Sequence, residues 1–438
     1  MALKPETISL SVPRASGAAT NQVASASMES RPWHLAFVLA VCALISLMLL
    51  RPLFIPVVHG DHYLYLAEHF LRGELWVDDL PPGYPDFVNR QGHKYLPFGP
   101  LPAALLMPFA PLMDLAGTRD LAWVGHLFTL LNVILFARVL QQAGVLGDRR
   151  KWALLLFFGG TVYYGISVVV ASTYLAHILV VTCLLLAISE ALGKKRPLLI
   201  GLFLGLAGMT RFTALFTLPF FLWLLWRESA VPGDGTAHQG PVKRKPHAVA
   251  RYGLLLAGLA GPLALLLIYN YLRFGNPLDS GYGNAVLTDP VLRGAIQQGL
   301  FSLAHIPKNV FMLLLQGPLP YPSQDAPVLQ FPYVQPSPWG MGIFFTSPAL
   351  LYAFRSKLRE PIVQACWLAV LCVLVPLLTY YGVGWVQFGY RYALDFMPFL
   401  LLLAALSFPK TISPLVRLLI LASVAVNIWG AFFLAKWV

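Results

Sequence analysis

The sequence predicts an all-α, polytopic membrane protein. Three observations carry that prediction. Of 438 residues, 58% are hydrophobic and only 11% are charged, whereas an average soluble domain carries roughly 25% charged residues. The mean hydropathy is +0.68. Apolar runs of roughly 18–22 residues recur along the chain, the length a helix needs to cross a hydrocarbon core. So little charge cannot cover a soluble surface. A soluble enzyme, a disordered hub and a disulfide-stapled secreted domain are therefore excluded.

Residues 1–30 are rich in Ser and Ala and lack an apolar core run. They read as a cytoplasmic tail and not as a cleaved signal. Residues 31–438 read as a single transmembrane domain. Its first span covers about 33–53. Further spans fall near 121–140, 152–170, 173–192, 197–210, 212–226, 252–272, 341–354, 361–381, 392–408 and 415–436. About eleven spans result, of which 197–210 and 341–354 are short. Residues 96–113, LPFGPLPAALLMPFAPLM, are apolar enough to span but carry five prolines. The positive-inside rule decides their placement. If this segment does not cross, the basic clusters at Arg149-Arg150-Lys151, Lys194-Lys195-Arg196, Lys243-Arg244-Lys245 and Arg355/Lys357/Arg359 all lie with the N-terminus. The segment is therefore expected to be interfacial or re-entrant on the outer face.

The formal net charge of +12 then collects on the inner side as an insertion signal, and a nucleic-acid partner is not expected. Most non-membrane mass lies in two outer segments, about 54–120 and 273–340. The inner loop 227–251 is polar and basic and reads as an orientation loop. Cys42, Cys183, Cys366 and Cys372 sit inside apolar runs and read as small apolar fillers. The chain contains no N-x-S/T sequon. A bacterial plasma membrane is the expected location.

Polar residues concentrate at the outer ends of spans, which points to chemistry at the outer interface. Asp61 follows the first span directly. From Asp61 to Leu75 the apolar spacing predicts an amphipathic helix, with Tyr63, Leu64, Ala67, Phe70 and Leu71 on one face and Glu68 paired to Arg72 in water. Asp61 reads either as the cap of that helix or as a functional carboxylate. Asp78 and Asp79 form an acidic turn and a weak candidate site for a divalent cation; Asp86 follows. Lys94 and Tyr95 stand ready to meet an anionic group or to anchor the interface. Arg211 and Arg391 are costly in their apolar contexts and are functional candidates by default. Asp395, four residues beyond Arg391, suggests an ion pair along one helical face. His177 lies inside an apolar span with Tyr163 and Tyr164 nearby, where a packing histidine is the commoner outcome. No nucleotide-binding or metallohydrolase motif occurs in a usable context.

Six segments together resemble the GT-C superfamily of membrane glycosyltransferases, which includes protein O-mannosyltransferase-like and aminoarabinose transferase-like enzymes. They are GDHYLYLAEHFLRGEL, GHKYLPFGPLPAALLMPF, GLFLGLAGMTRFTALF, YNYLRFGNPLDSGYG, GMGIFFTSPALL and FGYRYALDFMPFLLLL. Each is short, but their order and sidedness match the superfamily. The resemblance implies a polyprenyl-phosphate-sugar donor and a glycan, lipid or protein acceptor on the outer side. It implies Asp61 as catalytic base, with Arg211 and Arg391 at the donor phosphate. Lys94, Tyr95, Tyr63, Tyr390 and His177 are further pocket candidates. Many members carry an acidic pair where this chain has Asp61-His62. Two other classes compete: a transporter or flippase of lipid-linked glycans, and a non-catalytic scaffold of the same fold.

Overall fold

The computed structural model describes residues 17–53, 55, 61–229, 248–284, 290–323 and 328–437. The chain is predominantly helical, as its hydropathy dictates. The helices are α1 (Gly17–Leu49), α2 (His62–Leu71), α3 (Leu101–Leu106), α4 (Ala110–Leu115), α5 (Ala122–Gln142), α6 (Gly147–Gly159), α7 (Tyr163–Val169), α8 (Ser172–Leu192) and α9 (Pro197–Thr210). They continue as α10 (Leu218–Ser229), α11 (Ala248–Phe274), α12 (Pro290–Ile296), α13 (Ile306–Val310), α14 (Ile343–Thr346), α15 (Pro361–Thr379), α16 (Met397–Ser407) and α17 (Pro414–Trp437). The strands are β1 (Val88–Arg90), β2 (His93–Tyr95), β3 (Leu319–Pro322), β4 (Leu329–Gln335), β5 (Trp339–Met341) and β6 (Gln387–Gly389).

Among the described residues six helices are long and apolar enough to cross a membrane, or seven if the bent pair α6 and α7 is one span. The pair bends by 52° at Gly159–Gly160. There, a Cβ on Gly159 would lie 2.2 Å from the side chain of Leu44 on α1, so the missing side chain makes room for that leucine. Several expected spans are more irregular than their hydropathy suggests. Residues 341–354 become α14 followed by a 3₁₀ segment, Pro348–Arg355. Residues 212–226 open with a 3₁₀ segment, Phe212–Thr217, before α10. Residues 392–408 open with a 3₁₀ turn, Arg391–Asp395, before α16. The proline-rich run 96–113 forms α3 and part of α4, each of 6 residues. At 1.5 Å per residue each is about 9 Å long, far short of a span. Residues 1–16 of the expected tail lie outside the described residues, and α1 already begins at Gly17.

α8 lies at the centre: 89% of its apolar window is buried in the protein, against 11% for the first span on α1. α9 packs closely beside it, and α11 packs on α9. A Cβ on Gly201 would lie 1.9 Å from the Leu255 carbonyl oxygen, and one on Gly258 would lie 2.0 Å from that of Leu198. Small residues facing each other let two helix backbones touch, the usual solution in lipid. The four cysteines are free, with Cys183 and Cys366 buried.

One end of the bundle carries the turns between α5 and α6, α8 and α9, and α16 and α17. Arg149 donates there to the Ala405 and Leu406 carbonyls at 3.0 and 2.9 Å. Arg196 closes on Glu190 at 2.8 Å. The other end carries α2, the antiparallel β1–β2 hairpin, α3 and α4. The parallel β5–β6 pair, with Met341 opposite Gly389, draws the chain after α15 into the same end and so places Arg391.

Candidate active site at the loop-bearing end

α2 begins where the apolar spacing predicts, but its cap differs. Asp61 occupies the N-cap position by backbone, with its carbonyl accepting from Leu64 N–H at 2.7 Å. Its side chain makes no capping bond. One carboxylate oxygen accepts from the Tyr84 hydroxyl at 2.9 Å; the other accepts from Arg119 Nε. Arg119 also donates from Nη1 and Nη2 to Glu68 at 3.0 and 3.3 Å. Its guanidinium lies over the Tyr65 ring, 4.2 Å from the centroid. Asp61, Tyr65 and Glu68 are spaced four and three residues apart, so one helical face presents all three to one arginine.

This corrects the expected Glu68–Arg72 pair, since Arg72 instead faces Asp79 at 3.8 Å. Leu71, expected on the apolar face, is exposed, while His62 and His69 are buried. Gly73, at φ +78°, ends the helix in the left-handed conformation that glycine adopts without strain.

Electrostatics around Asp61 follow from burial. Burial raises the Tyr84 phenol above its ordinary range, and the Asp61 charge raises it further. Tyr84 therefore stays a neutral donor. Burial alone would lower Arg119, but its bonds to Asp61 and Glu68 outweigh that and hold it charged. His62 sits between the Tyr84 and Phe98 rings, at 4.5 and 5.3 Å. Burial lowers it below its ordinary 6.5, although the Asp86 and Asp61 carboxylates oppose the shift.

Arg119 and its neighbour Asp120 face different partners. Asp120 accepts from Arg51, at the end of the first span, at 3.0 Å; Arg51 also donates to the Val169 carbonyl at 3.2 Å. Two consecutive residues thus tie α2 and the end of α1 to the start of α5.

The second half of the site lies around Tyr392. Arg211 donates from Nε to Asp395 at 2.7 Å, and Thr213 donates to the other oxygen of the same carboxylate. Asp395 is fully buried. The expected Arg391–Asp395 pair is thus replaced: the 3₁₀ turn aims Arg391 away, toward the Trp385 carbonyl at 2.7 Å. Both arginines reach the Tyr392 ring, at 5.0 and 5.4 Å. His177 stacks on that ring at 6.0 Å. Both His177 nitrogens, the Tyr390 hydroxyl and Arg391 Nε are buried without a hydrogen-bond partner among the described residues. Buried polar groups are nearly always satisfied, so several orphans around one ring need an explanation.

Tyr63 and Tyr282 join the two halves. Tyr63 meets Phe98 at 5.5 Å, and Phe98 meets Tyr282 at 6.4 Å. Burial raises both phenols, and the Arg211 charge works against that rise in each. Lys94 and Tyr95 belong to a different group. Lys94 lies over Phe87 at 5.5 Å, and Tyr95 packs on Phe274 at 5.6 Å.

Asp78 and Asp79 do not converge as a cation site. Asp78 takes the His93 ring at 2.6 Å and the Lys94 backbone N–H at 2.8 Å. Asp79 takes His69 Nε2 at 2.8 Å, while Glu74 takes His69 Nδ1 at 2.6 Å. Among the described residues no group of three or more His, Cys, Asp or Glu is arranged to hold a metal ion.

Sequence reasoning missed Arg119, Tyr84 and Tyr282. Each comes from an irregular stretch with no periodicity to give it a direction. Comparison of the chain with protein-family models, curated proteins and solved structures finds no match.

Proposed function

We propose that this protein is a GT-C-like, inverting glycosyltransferase of about eleven spans, six to seven of them long apolar helices. It moves a sugar from a polyprenyl phosphate to an acceptor hydroxyl on the outer side of a bacterial plasma membrane. The observation that carries this reading is the ring of polar groups around Tyr392 that have no hydrogen-bond partner among the described residues, beside two arginines and linked through Tyr282 and Tyr63 to Asp61.

In this mechanism the acceptor oxygen attacks the anomeric carbon as its proton passes to an Asp61 carboxylate oxygen. The bond from the anomeric carbon to the phosphate oxygen breaks, and the electron pair leaves with the polyprenyl phosphate. Arg211 and Arg391 stabilise the charge that develops there. Asp395 holds Arg211 in place. His177 and Tyr390 supply hydrogen bonds to the sugar or the phosphate. Tyr84 keeps the second Asp61 oxygen oriented. Arg119 must release Asp61 for the proton transfer, and Glu68 remains as its partner.

Two other readings meet specific observations. Arg119 already occupies Asp61, which favours a non-catalytic scaffold of the same fold. A transporter of lipid-linked glycans would centre its polar groups at mid-membrane; here they gather at helix ends.

The test is sugar transfer from labelled polyprenyl-phosphate sugars in reconstituted membranes. Asp61→Asn should fold, bind donor and lose about 10²-fold or more of the transfer rate. Undiminished transfer in that variant removes Asp61 from the mechanism. Wild-type protein that moves a lipid-linked glycan across the bilayer without transfer supports the transporter.

A further inference from the structure

The transfer reaction makes no use of the β3–β4 hairpin. No residue of either strand is buried. Leu329, Phe331 and Tyr333 are exposed at 49%, 83% and 57%, and residues two apart on a strand share one face. The Phe331 and Tyr333 rings lie 6.2 Å apart. Residues 319–323 and 328–335 carry no charged side chain. A row of exposed apolar side chains marks an interaction surface. We infer that this hairpin lies on the membrane itself, with Leu329, Phe331 and Tyr333 set into the boundary between lipid headgroups and acyl chains beside α17.

The level of the hairpin selects lipid. Tyr321 of β3 packs on Phe433 of α17, with ring centroids 6.0 Å apart. α17 has 24 residues, about 36 Å at 1.5 Å per residue, against a hydrocarbon core of about 30 Å. Phe433 stands about 6 Å along the axis from its end at Trp437, so it lies at the edge of that core. Trp429 and Trp437 pack on the same ring at 5.4 and 6.1 Å, and Lys436 Nζ lies 5.4 Å from its centroid. Aromatic rings with a lysine mark the membrane–water boundary. This part of α17 lies at the loop-bearing end, since a Cβ on Gly430 would lie 2.2 Å from Phe388 of β6.

Composition argues against a protein partner on the same face. Pro320, Pro322 and Pro332 have no backbone N–H. Fewer donors suit a hairpin at the edge of lipid, where an unpaired N–H is costly. They also spoil the strand edges to which a second copy or a peptide would add. The strands offer no charge to orient such a partner. β5 follows the hairpin closely and pairs with β6 just ahead of Arg391, so the anchored hairpin holds that strand pair near the lipid surface. The inference rests on α17 as a span and not on the transfer reaction.

The experiment is photo-cross-linking of the full-length protein with benzoylphenylalanine placed at Phe331, an exposed site where the added ring meets no packed neighbour. The protein is irradiated in phosphatidylcholine vesicles and in membranes of the expressing cells. Mass spectrometry should show a gain of one phospholipid in both. The same probe at Ala425, exposed at the middle of α17, should give the same gain, and at Arg72, exposed just past α2, it should give none. A phospholipid at Ala425 but none at Phe331 places the hairpin in water and overturns the inference. So does an equal gain at Arg72. A cross-linked dimer at Phe331 assigns the face to a second copy, and a cross-link to another protein in the cell membranes assigns it to that partner; either overturns the inference. No phospholipid at Ala425 removes α17 as a span, and the inference with it.

Discussion

Asp395 has no exposed surface and carries both Arg211 and Thr213. Removing its charge strands a largely buried guanidinium, which typically costs about 3–5 kcal/mol. Asp395→Ala should therefore lower the thermal midpoint sharply in detergent, while Thr213→Val should cost only about 1 kcal/mol. Equal midpoints for wild type and Asp395→Ala would show that this pair carries no such role. His62 makes a pH prediction. Its pKa in the folded protein lies below the ordinary 6.5. Between those two values the unfolded chain binds a proton that the folded chain refuses, so stability falls as pH drops below about 6.5. Protection of the α2 amides, corrected for the intrinsic slowing of exchange in acid, should thus fall from pH 7.5 to pH 5.5, and His62→Gln should flatten that response. Arg211 and Arg391 stood out in the sequence because charge in an apolar run is expensive. Their partners did not, since Arg211 and Asp395 lie 184 positions apart.

At the scale of elements, α2 was legible because its apolar residues recur at helical spacing, although it stops at Leu71, ahead of Gly73, and not at Leu75. The face it buries was only partly legible. His62 and His69 look solvent-bound in the sequence, yet aromatic rings and carboxylates give them buried partners. The β1–β2 hairpin is too short for alternation to reveal it. The close packing of α9 on α11 depends on glycines that look unremarkable inside apolar runs. Gly201→Val should push these helices apart, because the added carbons meet the Leu255 carbonyl. A loss of about 1–3 kcal/mol is expected, read as a lower thermal midpoint. The same change at Gly253, where a Cβ meets nothing within 4 Å, should be close to neutral.

For the whole molecule, hydropathy made the membrane class legible, and the basic clusters made two unlike ends legible. Hydropathy did not reveal how many crossings are regular helices, because 3₁₀ turns and proline breaks are as apolar as the helices they interrupt. Sidedness has a direct check. Arg72→Cys and Lys194→Cys should react with a membrane-impermeant thiol reagent from opposite sides, the first from outside intact cells. Labelling of both from one side would overturn the eleven-span arrangement.

The consecutive pair Arg119-Asp120 has a mechanical consequence. One peptide unit holds a cation that grips α2 and an anion that grips the end of α1. A force that draws Arg119 off Asp61 is therefore felt at Arg51 without any intervening loop to absorb it. The junction behaves as a rivet through two plates, and whatever frees the carboxylate must also slacken the joint between the first span and the bundle.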